Sequence, residues 1–233
     1  MTLKNWPIYV PAFVALLVGL ALWGASELQQ PDMPSPSPPT NQPLAIESSQ
    51  TNVRPAAVPQ NDEEWSAIQK FVQDTWLVAH RQGQAQQELK KLVAELSSKG
   101  DLDGVDGAFA AHMSKLEKLM ADLEGLQVPQ VGDEDTGRFI ADASESINAT
   151  LVLEMEQTDW FIKGWGESGK APPEDVVISS NGDINRNSAR LLLSLHRIYW
   201  NHGYRDADID ERTFKLRPGV KPQPTTSFNR TNI

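Results

Sequence analysis

The chain has 233 residues, with 31 acidic and 21 basic side chains and no cysteine. Without cysteine there is no lipoprotein acylation, disulfide, thiolate metal site, covalent c-type haem or cysteine nucleophile, and the composition favours a bacterial envelope protein over a small secreted eukaryotic domain. The formal net charge of −10 argues against non-specific nucleic-acid binding.

Residues 8–25 are almost wholly apolar, and residues 5–26, between Lys4 and Glu27, carry no charge. A helix needs roughly 20 such residues to cross a hydrocarbon core of about 30 Å. Residues 6–26 are therefore expected to form a transmembrane anchor. Lys4 and the N-terminal amine lie on one side, Glu27 and Asp32 on the other. The positive-inside bias keeps residues 1–5 in the cytoplasm and sends the remainder out. Trp6, Tyr9 and Trp23 stand near the ends, where aromatic rings favour the interface. Cleavage of a signal peptide at Gly24-Ala25-Ser26 competes, but the apolar stretch is long for one and Trp23 fits poorly beside the cut. The expected address is the bacterial inner membrane, single-pass, with the C-terminal part outside, periplasmic in a Gram-negative cell.

Residues 31–60 hold eight of the sixteen prolines, interleaved with Ser, Thr, Asn and Gln. Such a stretch cannot bury enough apolar surface to offset its ordering entropy. As a spacer it would reach about 30 Å on average as a coil.

From residue 61 the period becomes helical. Trp65, Ile68, Val72, Trp76 and Ala79, then Leu89, Leu92, Val93 and Leu96, recur at spacings of three and four up to Gly100, with Gly83 as a candidate break. Val105, Phe109, Met113, Leu116, Met120 and Leu123 mark a second helix, stopping before Gly125. The third begins near Asp133 and carries Phe139, Ala143, Ile147, Leu151 and Met155 towards Ile162, with Gly164, Gly166, Gly169 and Pro172-Pro173 as its stop. Ser180-Asn181-Gly182-Asp183 announces a fourth, with Leu191, Leu192, Leu195, Ile198 and Tyr199, ending near Gly203. The expected fold is all-α: an antiparallel four-helix bundle-like domain over residues 61–203, behind the anchor and linker. Residues 204–233 have scattered apolar residues and a basic bias, and are expected to be an extended tail. The bundle segment holds 24 acidic and 13 basic side chains against 4 and 6 in the tail. Such a balance keeps the domain soluble and could attract basic partners.

The loop at Asp101, Asp103 and Asp106 resembles a calcium loop, but the glycine and glutamate places are filled by Asp106 and His112; Asp183, Asn185 and Asn187 fail at Ser188 and Ser194. Helix capping explains both loops. His80, His112, His196 and His202 form no zinc or di-iron spacing. No phosphate loop or nucleophile elbow occurs. No catalytic, cofactor-binding or metal residue is therefore assigned. The densest aromatic content outside the anchor lies at Trp160, Phe161 and Trp165 and at Tyr199, Trp200 and Tyr204. Trp160, Trp165, Trp200 and Tyr204, with Arg212, Lys215 and Arg217, are the partner-binding candidates, because such residues carry interface energy.

The function expected is that of a noncatalytic interaction or accessory subunit of an envelope complex. It would bind envelope or membrane proteins or itself, meet the membrane through residues 6–26, and bind no nucleic acid. One alternative is a ligand-sensing bundle that signals through a membrane partner. Another is a carboxylate-based hydrolase using Glu145, Glu154, Glu156 and Asp159.

Overall fold

The computed structural model describes residues 62–168 and 174–223. The expected anchor at 6–26 and linker at 31–60 lie outside them; among the described residues, no helix is long and apolar enough to cross a membrane. Four helices make up most of the unit that begins at Asn52. They are α1 (Asp62–Ser98), α2 (Leu102–Glu124), α3 (Glu134–Ser168) and α4 (Glu174–Asn201).

α1 opens on Asp62, Glu63 and Glu64, whose carboxylates complement the free N–H groups of a first turn. It buries Ile68, Phe71, Val72, Thr75 and Val78 along one stripe and runs unbroken through Gly83. A glycine inside a helix costs about 1 kcal/mol against alanine, too little to break a helix packed on both sides of it. Gly100, at φ 72°, ends the run, and Asp101 caps α2 by accepting from the Gly104 N–H at 2.9 Å. Asp133 caps α3 in the same way through the Thr136 N–H, at 2.8 Å.

One boundary differs from the sequence reading: α4 starts at Glu174, directly after Pro172-Pro173, instead of near Asp183. α3 ends at Ser168, within the expected run of stop residues from Gly164 to Pro173. Proline stops a helix outright where glycine only weakens it. The residues read as a start signal are occupied inside α4: Ser180 is buried, Asn181 accepts from Gln157 at 2.9 Å, and Asp183 pairs with Arg186.

Consecutive helices run antiparallel. Lys115 and Arg81 bridge α1 and α2 to Glu88 and Asp122, while Arg190 bridges α4 to Asp142 and Glu145 on α3. Ile68, Val72, Leu116, Ile147, Leu151, Leu195 and Ile198 form the shared core, each 0–1 % exposed. α1 and α4, which would close a regular bundle, meet through side chains such as Trp65 and Tyr199, with few close backbone approaches.

The residues that follow α4 close that seam at one end. Residues 204–223 are not an extended tail: a 3-10 turn (Asp206–Asp208) leads into β1 (Ile209–Asp210), which pairs antiparallel with β2 (Lys215–Leu216). Ile209 and Phe214 are each 1 % exposed and belong to the core cluster. The segment is rich in charge, but two large apolar side chains suffice to seat it, with Phe214 packed against Trp76 of α1 and His196 of α4.

Candidate interaction surface

The end of the bundle that carries the C-terminal segment is built from aromatic rings of three elements. Gly203, at φ 83°, turns the backbone back after α4, and the Tyr204 N–H reaches the Tyr199 carbonyl at 3.1 Å. That turn lays Tyr204 parallel to Trp65 of α1, with centroids 5.5 Å apart and planes 6° apart. Trp65 also meets the edge of Tyr199 and lies 4.7 Å from His202.

Phe214 is the plug of the segment. Its ring centre is 4.9 Å from those of both Trp76 on α1 and His196 on α4. Its φ of 52° is strained for a bulky L residue. The surroundings hold it there: the Phe214 N–H donates to the Asp210 carbonyl at 2.7 Å, and the Tyr199 hydroxyl donates to the Phe214 carbonyl at 2.9 Å. Trp76 Nε1 donates to the Arg212 carbonyl at 3.1 Å. Asp206 accepts from Trp200 Nε1 at 2.7 Å and lies 2.8 Å from His196 Nδ1. At the far end of the segment, the Gln223 N–H donates to the Gly203 carbonyl at 2.8 Å.

The local electrostatics follow from this packing. Burial pushes the Tyr199 phenol well above its ordinary range, opposed in part by a hydrogen bond with Gln73. Tyr204 moves the same way, first through burial and then through the charge of Asp208. The Asp210 carboxyl is held low, chiefly by the backbone N–H of Arg212, at 2.9 Å.

The segment is thus fixed by its backbone and rings, while Arg212, Lys215 and Arg217 are exposed. Trp200 and Tyr204 are half-buried on the same end. Trp160 is not with them. It is 39 % exposed on α3, about 36 Å along that helix from Thr136, which bonds His202 at 3.2 Å. The Trp165 side chain lies outside the described residues. Of the partner-binding candidates read from the sequence, five therefore lie on the C-terminal segment or the last turn of α4 that it packs on, and Trp160 stands apart from them.

The acidic residues of the hydrolase reading do not converge. Glu145 reaches Arg190 and Asp159 reaches Lys163 on the outside, Glu156 is exposed, and Glu154 is buried in the core. Among the described residues, no group of three His, Asp or Glu side chains could hold a metal ion.

Sequence reasoning missed Trp65, Trp76 and Phe214 as the seat of the segment. A signal was present: Ile209, Phe214 and Leu216 are large apolar residues within eight positions of an otherwise charged stretch. No family model, no curated protein and no solved structure matches this sequence.

Proposed function

We propose that the chain is a noncatalytic, membrane-anchored interaction subunit of a bacterial envelope assembly. Residues 6–26 hold it in the inner membrane with residues 1–5 in the cytoplasm, residues 31–60 act as the spacer, and the helical domain lies outside. The observation that carries this reading is the C-terminal segment, in which Arg212, Lys215 and Arg217 stand exposed on a backbone seated by Trp76, Tyr199 and Phe214. A surface whose ordering is already complete loses little further entropy on binding, which favours affinity. Arginine beside aromatic rings is the usual make-up of an interface hot spot. The polypeptide enters the bundle at this same end, because Trp65, in the first turn of α1, stacks on Tyr204. With an anchor at residues 6–26, membrane partners or a second copy would be the proteins this surface meets.

The test is photocrosslinking in intact membranes, with a reactive residue at Thr213 on the segment or at Gln87 on exposed α1. Capture of an envelope protein, a membrane protein or a second copy from position 213 and not from 87 is expected. Equal capture at both positions, or none at 213, overturns the reading.

A further inference from the structure

We infer that Gln82, His112 and Glu154 form a register lock, a buried polar triad that fixes how α1, α2 and α3 align and is not retained for its stability. The three side chains come from three helices and are 8 %, 3 % and 2 % exposed. Glu154 accepts from His112 Nε2 at 3.0 Å through one oxygen and from Gln82 Nε2 through the other. A carboxylate only accepts, so the contact is a donation from His112 Nε2, which leaves Nδ1 as the other polar atom of the ring. That Nδ1 is buried and has no hydrogen-bond partner.

A core chosen for stability alone would not carry this group. Removing a carboxylate from water is costly, and well-packed apolar replacements for buried polar groups are often neutral or stabilising. What the triad adds is direction. A shift of one residue along α1 or α2 turns its side chain by about 100°, leaving Glu154 without one of its donors and the carboxylate buried unpaired.

The triad also stands where apolar packing is least able to set alignment. Beyond Val78, α1 buries only Gln82, Ala85 and Val93, and Gly83 adds no side chain. The Phe109–Phe161 stack, with centroids 4.8 Å apart, joins α2 to α3 and does not involve α1. Gln82 is thus the buried directional contact for the second half of α1, beside the exposed ion pairs of Arg81 with Asp122 and of Glu88 with Lys115.

The experiment compares full-length Glu154→Leu and the triple variant Gln82→Leu, His112→Leu, Glu154→Leu with the native protein, reading the melting temperature and amide exchange together. Glu154→Leu alone strands two buried donors and should lower the melting temperature. The triple variant should melt at or above the native temperature while amides of residues 79–98 exchange about tenfold faster or more, because opening is local where packing is loose. A triple variant with native melting and native exchange overturns the lock. So does a triple variant less stable than the native protein, since the triad would then be a stabilising contact.

Discussion

At the scale of single residues, Tyr199 joins core, segment and electrostatics. Its ring is 0 % exposed and its hydroxyl supports the strained Phe214. Burial raises its folded-state pKa above the unfolded value, which is about 10. A group shifted upward contributes stability that is fully present below the unfolded pKa and lost as pH rises through the folded one. Stability should therefore fall on the alkaline side, above pH about 10. Tyr199→Phe should flatten that alkaline limb in denaturant melts and remove the latest step of phenolate absorbance, with Tyr204 titrating before it. At neutral pH the same variant should cost about 0.5–1.5 kcal/mol for the lost hydrogen bond. Phe214→Ala should cost more, about 3–5 kcal/mol, since it empties the site between Trp76, His196 and Tyr199. A loss below about 1 kcal/mol would mean the ring is not packed as described.

At the scale of elements, the helices were legible because each carries a 3.6-residue apolar stripe, and the stripe residues Ile68, Leu116, Ile147 and Leu195 are all core. The α1–α2 junction was legible too: Asp101 was read as a cap and accepts from the Gly104 N–H. Asp101→Ala should cost about 1 kcal/mol in a chemical melt, the usual worth of an N-cap, and no change would mean that water replaces the side chain without loss. The start of α4 was misread because Ser180, Asn181 and Asp183 look like capping residues in sequence, whereas Ser180 is buried inside α4, Asn181 bonds to α3 and Asp183 pairs with Arg186. The segment after α4 was misread for a different reason. Its strands are two residues long, too short to show alternation, and its packing depends on Trp76 and His196 being brought together from α1 and α4, which no local pattern encodes. The buried triad was equally out of reach. Glu154 was weighed only with Glu145, Glu156 and Asp159 for the hydrolase alternative, because a single glutamate on an apolar face looks like its solvated neighbours until Gln82 and His112 are placed beside it.

At the scale of the whole molecule, the folded segment changes how the partner surface has to be tested. Deleting residues 204–233 would remove Ile209 and Phe214 from the core and uncover Trp65, Trp76 and Tyr199. The loss should exceed about 5 kcal/mol, comparable with the whole stability of a small domain, and the melt should broaden or vanish. Loss of a partner on deletion would then report unfolding as readily as recognition. Charge reversal separates the two. Arg212, Lys215 and Arg217 are exposed, and the segment holds its place through the Arg212 carbonyl and the backbone N–H of Arg217, which donates to the Asp208 carbonyl at 2.8 Å. Replacing all three by Glu should leave the melt within about 0.5 kcal/mol per site, as for other surface substitutions. If these cations meet an acidic partner, the same variant should capture markedly less of it from intact membranes, and raised salt should weaken native capture in the same direction. A variant that melts like the native protein and captures just as much partner would remove the segment's cations from the binding surface and leave Trp160, at the other end of the bundle, as the remaining exposed candidate.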